Sequence, residues 1–238
     1  MKPRKAANRK LLREVCAFSC GALAALVFCF GCFVAFASAP ENHTEQEQPE
    51  PLTVREREIK PVPAGTYMPL YLQTDAQWSE KPYASGTIGD SGCGLACAAM
   101  AVKALTTQDV TPLTLSDAVG NACLTDGVND PEKFAQWIEA NYGDYGIEVS
   151  QKVYALKRAL AYVDDGWLCF AGLHGAFGDT EYGGHVVLIW RADDGGYWVR
   201  DPASAANSAH LFTTEELNAV DFRYFVCVRG GKYGNAGH

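Results

Sequence analysis

The longest apolar stretch in the chain is residues 15–37, 23 positions without a charge. As a helix it extends about 34 Å, enough for a bilayer core of about 30 Å. Lys2, Arg4, Lys5, Arg9, Lys10 and Arg13 precede it, and the positive-inside rule keeps such a flank, residues 1–14, in the cytoplasm. Ala35-Phe36-Ala37 has the small-x-small form of a signal-peptidase site, but the run exceeds the usual signal core of about 7–15 residues. A single-pass anchor is therefore favoured over a cleaved signal. In either case the rest of the chain is expected outside the membrane. Residues 38–62 are dominated by Glu, Gln and Pro, with almost nothing to bury, and are expected to form a disordered tether. The globular part is then 63–238, long enough for one good core.

Within it the apolar period changes once. Residues 93–105 are Ala-rich without an internal proline, which predicts a buried helix. Residues 115–123 predict a second. Asp130-Pro131 predicts the start of a third, with Asp as the cap and Pro at the first helical position. Phe134, Trp137, Ile138 and Tyr142 follow at helical spacing, and Gly143 stops it. Residues 154–163 predict a fourth. From there Val, Trp, Tyr and Phe dominate short runs at 167–172, 185–190, 197–200 and 222–228, which predict strands. Asp194-Gly195-Gly196 between two of them is a hairpin signal. Residues 86–92 and 172–184 are expected as loops, the second as a cleft rim. The order, helices and then an antiparallel sheet, predicts an α+β fold.

Charge sharpens this division. The net charge of −8 splits into +5 over residues 1–14 and −13 over the remainder. An acidic body argues against nucleic acid as a partner, because a phosphate backbone needs a basic surface. The nine cysteines split too: Cys16, Cys20, Cys29 and Cys32 lie in the apolar run, and Cys93, Cys97, Cys123, Cys169 and Cys227 lie downstream. Five is odd, so one thiol stays unpaired even if the others form disulfides.

Cys93 is the candidate for that thiol. It follows Ser91-Gly92 and precedes Gly94 at the first turn of a predicted helix, where free N–H groups and a partial positive charge favour thiolate over thiol. By position alone it is equally a disulfide partner or a small buried residue. His185, after Gly183-Gly184 and before the apolar run 186–190, is placed to face a cleft. If 186–190 and 197–200 pair through the turn at 194–196, Asp201 comes beside His185 and can fix its tautomer, the third role in a triad. An oxyanion also needs donors, for which the Cys93 amide and the side chain of Gln73 or Gln77 are available. A metal site from Cys93, Cys97 and His185 is disfavoured, since C-x-x-x-C lacks the usual knuckle spacing. No cofactor is expected.

Four short motifs occur in order: Gln73-x-Asp75-x-x-Trp78, Ser91-Gly92-Cys93-Gly94, Gly184-His185-Val186-Val187-Leu188 and Val199-Arg200-Asp201-Pro202. Together they resemble the papain-like cysteine peptidases related to the bacteriocin-leader (double-glycine) processing domains. The likeness is nearest to the free-standing, secreted or membrane-anchored peptidase-like branch, and it spans about residues 70–228. The resemblance implies a papain-like fold, with the Cys helix in an N-terminal helical half and His and Asp on a C-terminal antiparallel sheet. It implies Cys93 as nucleophile, His185 as base and acid, Asp201 as orienter and Gln73, rather than Gln77, as the oxyanion amide. Leu95-Ala96 stand where relatives often carry Pro-Thr, a change inside the helix that predicts altered packing rather than altered chemistry. The expected activity is that of an extracytoplasmic cysteine peptidase or amidase acting on a peptide or protein substrate. The alternatives are acyl transfer by the same thioester, or an inactive binding module at the cell surface. The membrane enters as a partner through residues 15–37.

Overall fold

The computed structural model describes residues 68–106 and 108–230. The apolar segment 15–37 and the tether 38–62 lie outside these residues. Among the described residues, no helix is long and apolar enough to cross a membrane.

The chain enters through a turn and a small hairpin of β1 (Pro82–Tyr83) and β2 (Gly86–Thr87), then α1 (Ile88–Ser91). Thr87 and Asp90 form a reciprocal capping box on α1, so part of the expected loop 86–92 is ordered. Helix α2 (Cys93–Thr106) follows after one residue, Gly92. Every α2 residue except Lys103 is buried. Such a helix shows no amphipathic stripe in sequence, only small apolar residues throughout.

Helix α3 (Pro112–Val119) begins three residues earlier than the pattern predicts and ends at Gly120, before Cys123. Thr111 caps it and Pro112 opens it, so local end chemistry sets the boundary. A second small hairpin, β3 (Leu124–Thr125) with β4 (Val128–Asn129), leads into α4 (Pro131–Tyr142), capped by Asp130 as expected.

The second half is a six-stranded antiparallel sheet built from β5 (Glu148–Val149), β6 (Leu168–Phe177), β7 (Thr180–Asp193), β8 (Gly196–Arg200), β9 (Leu211–Phe212) and β10 (Asp221–Arg229). The spatial order is β5-β10-β6-β7-β8-β9. Helix α5 (Leu156–Asp164) precedes β6, while α6 (Ala205–Ser208) and α7 (Thr214–Asn218) interrupt the later strands. Residues 172–184 are not a loop: β6 and β7 continue as a ribbon, with Phe177 opposite Thr180. Five glycines in that stretch hide the strand period.

Alternation along the sheet divides the core in two. Leu168, Phe170, Val186, Leu188, Trp190, Val226 and Val228 face α2, α3 and α4. Cys169, Ala171, Val187, Ile189, Val199, Phe225 and Cys227 belong to a second cluster with Ala159, Leu160 and Val163 of α5 and Leu217 of α7. The sheet is thus covered on both faces, which explains why its central strands read as continuous apolar runs. Cys169 and Cys227 stand opposite one another on adjacent strands as free thiols.

Candidate active site

Gly92 lets α1 turn directly into α2. Its amide donates to the Ile88 carbonyl at 2.8 Å, and its own carbonyl accepts from Ala96 at 2.8 Å, the first bond of α2. A Cβ at this position would lie 2.4 Å from the Ile88 carbonyl oxygen and 2.6 Å from Ile88 Cγ2. Only glycine fits so tight a junction, and the junction sets Cys93 as the first residue of α2. There the thiol sits at the positive end of the helix, in the turn whose first amides have no intrahelical partner. Cys93 is 8% exposed and lines a cleft of about 650 Å³.

One turn along, Cys97 is fully buried and its thiol donates to the Val186 carbonyl at 3.4 Å. Burial first, then the neighbouring Cys93 and Asp201, push the Cys97 thiol well up. That contact fastens α2 to β7 beside His185.

His185 and Asp201 meet as the hairpin reading expects. Leu188 pairs with Arg200 and Ile189 with Val199, and a bulge at Trp190 shifts the register toward the Asp194-Gly195-Gly196 turn. Asp201 follows the end of β8, within diagonal reach of His185 on β7. Asp201 Oδ1 accepts from His185 Nε2 at 2.8 Å and from the Ala203 amide at 2.8 Å. Its Oδ2 accepts from Asn207 Nδ2 at 2.8 Å and from the Tyr182 hydroxyl at 3.3 Å. The carboxylate is fully buried, and four donors satisfy it. Burial favours its neutral form, but the bonds from His185, Asn207 and Ala203 outweigh burial and hold it below the usual carboxylate range.

His185 is shifted the opposite way. Burial disfavours its charged form, yet the hydrogen bonds to Asp201 and to Cys93 prevail and carry it up to about 9. With Nε2 held by Asp201, Nδ1 is the nitrogen left for the thiol. The ring is also stacked on Tyr182, with centroids 4.1 Å apart and planes 6° from parallel.

Gln73 and Gln77 separate clearly. Gln73 is 8% exposed and lines the cleft, whereas Gln77 is exposed and outside it. The Gln-x-Asp-x-x-Trp motif builds the turn that presents Gln73. Asp75 accepts from the Gln77 amide at 2.9 Å, and buried Trp78 donates to the Leu72 carbonyl at 2.8 Å. The Gln73 amide donates to the Pro202 carbonyl at 2.8 Å, tying this turn to the residue after Asp201. Gln73 Nε2 donates to the Gly89 carbonyl at 2.7 Å, leaving its second hydrogen for a ligand.

Cys93, His185, Asp201 and Gln73, all selected from sequence, are therefore brought together. Three contributors were not selected. Tyr182 lies in the stretch expected as loop. Asn207 sits in the capping turn of α6, where Ser204 accepts from the Asn207 amide. Asn129 precedes the α4 cap, and its Nδ2 lies 3.5 Å from Cys93 Sγ. The sequence offers no signal for Tyr182 or Asn129; the Ser204-x-x-Asn207 spacing marks a cap but not a bond to Asp201. His174, expected on a loop, is an exposed strand residue at the cleft rim.

No family model and no curated protein matches the chain. Among the solved structures similar to it are the following two. One is described as a C39-like peptidase from Bacillus anthracis, 11% identical, with a TM-score of 0.45 over 68% of this chain and 94% of that one. The other is a double-glycine motif protease from an AMS/PCAT transporter in complex with the leader peptide, 17% identical, with a TM-score of 0.42 over 72% of this chain and 97% of that one. Both are proteins of the kind the four sequence motifs resemble.

Proposed function

We propose that the chain is an extracytoplasmic cysteine peptidase or amidase that hydrolyses a peptide or isopeptide bond through a thioester on Cys93. The observation carrying this reading is the buried chain of contacts from Cys93 through His185 to Asp201, opening on one cleft with Gln73. The outward location rests on the charge and apolar pattern of residues 1–37.

In this mechanism His185 takes the Cys93 proton, and the thiolate attacks the scissile carbonyl carbon. The carbonyl oxygen becomes an oxyanion, met by the free hydrogen of Gln73 Nε2 and the Cys93 amide. Collapse breaks the carbon–nitrogen bond, and the His185 imidazolium gives its proton to the leaving amine. A water then loses a proton to His185 and attacks the thioester, releasing a carboxylic acid and restoring the thiol. Asp201 stays ionised throughout and steadies the imidazolium.

The test is digestion of a mixed peptide library by the full-length chain, read by mass spectrometry. Wild type is expected to cleave, and Cys93→Ser to give no cleavage at an unchanged melting temperature. His185→Ala is expected to slow cleavage by about 10²–10⁴, and Gln73→Ala by roughly 10²–10³. Undiminished cleavage by Cys93→Ser overturns the nucleophile assignment. Products joined to an added amine in place of water would move the reaction to acyl transfer.

A further inference from the structure

Asn129 touches Cys93 from outside the triad. It is the last residue of β4, directly before the cap of α4, and it lines the cleft. Its amide is held in one orientation. The Tyr83 hydroxyl donates to Asn129 Oδ1 at 3.0 Å, and Nδ2 donates to the Ser91 carbonyl at 2.5 Å. The remaining Nδ2 hydrogen is directed to Cys93 Sγ, 3.5 Å away, a normal separation for a donor to sulfur. Reversing the amide would set Oδ1 against the Ser91 carbonyl, two acceptors with no proton between them, and take the Nδ2 hydrogen away from Cys93.

The backbone has been fitted to this approach. A Cβ at Gly94 would come 2.7 Å from Asn129 Cβ and 2.8 Å from Phe134 Cε2. Glycine after Cys93 therefore gives Asn129 its place, which accounts for the Cys93-Gly94 pair in physical terms. Tyr83 is 5% exposed. Burial, then the neighbouring Cys123 and Cys93, push its phenol well up, so it remains a donor at any ordinary pH.

We propose that Asn129 is a further catalytic residue, whose amide hydrogen bonds to the Cys93 sulfur and stabilises it as thiolate, with Tyr83 as the residue that positions the amide. The inference rests on the proposed role of Cys93 as nucleophile. The bond is charge-assisted and formed only fully when the sulfur is ionised, so it favours the thiolate over the thiol. It gives the sulfur a second donor besides His185, from a different element of the cleft lining.

Site-resolved alkylation of Cys93 by iodoacetamide in the full-length chain tests this, with the rate followed against pH by mass spectrometry of the Cys93 peptide. In Asn129→Ala the pH at which the rate reaches half its plateau is expected to move upward by about one unit, the equivalent of about 1.36 kcal/mol. At pH values below the wild-type midpoint this slows alkylation roughly tenfold. Asn129→Asp, nearly the same size but with a carboxylate facing the sulfur, is expected to move it further upward. Tyr83→Phe, which leaves the amide but frees its orientation, is expected to give a smaller upward shift. A profile for Asn129→Asp and Tyr83→Phe that coincides with wild type overturns the proposal, even if Asn129→Ala fails to fold. Failure of the underlying reading looks different: Cys93 of the wild type would then alkylate no faster than in His185→Ala.

Discussion

Asp201 shows how a single buried charge is made tolerable and useful. A carboxylate out of water is costly unless several donors meet it. Here Asn207, Tyr182, Ala203 and His185 do so. The proximity of His185 and Asp201 was legible from the hairpin spacing; the Asn207 and Tyr182 bonds were not, because they depend on how α6 and the β6–β7 ribbon fold back. The two shifts have opposite consequences for stability. His185 rises from 6.5 to about 9, so its contribution is complete below about pH 6.5 and lost as pH climbs through about 9. Asp201 is lowered from 3.8, so its contribution is complete above that value and lost as pH falls through its lower folded value. Buried Cys123, raised to about 11 mainly by burial, adds to the alkaline loss, so the difference between variants is diagnostic. Thermal melts of wild type and Asp201→Asn across pH are expected to differ most near pH 4–6.5, with the difference shrinking, but not vanishing, as pH rises through about 9. A difference that stays constant with pH would separate Asp201 from the charge on His185.

Among the elements, α2 and the β7–β8 hairpin carry the site, and both were readable for local reasons. An Ala-rich run without proline forms a helix that can be buried on all sides. Asp194-Gly195-Gly196 fixes a hairpin and thereby the relation of His185 to Asp201. The failures were also local. The start of α3 is set by Thr111 and Pro112 rather than by apolar period. The ribbon at 172–184 carries glycines and polar residues between the core positions Leu173 and Phe177, so period alone misses it. The junction from α1 to α2 gives a direct prediction. Gly92→Ala places a Cβ against the Ile88 carbonyl, and the resulting overpacking is expected to cost about 1–3 kcal/mol. Denaturant unfolding reads the loss, and Cys93 alkylation should slow with it. An unchanged midpoint would mean that the junction adjusts at little cost.

At the scale of the molecule, the sheet binds two unlike packings: helices bearing Cys93 on one face, and α5 and α7 on the other. The α+β order was legible because the apolar period changes once along the chain. The covering of the second face was not, since helix 154–163 could pack on either side. The proposed topology places this domain outside the membrane on the tether 38–62. A membrane-impermeant maleimide is accordingly expected to label Cys93 in intact cells expressing the full-length chain, and labelling only after lysis would reverse the orientation. The central claim is that Cys93 is a nucleophile activated by His185. The most direct measurement is the pH–rate profile of Cys93 alkylation in wild type and His185→Ala. The proposed triad predicts rapid wild-type alkylation at neutral pH, where the imidazolium is present, and a marked slowing in His185→Ala until alkaline pH. Superimposable profiles would contradict it.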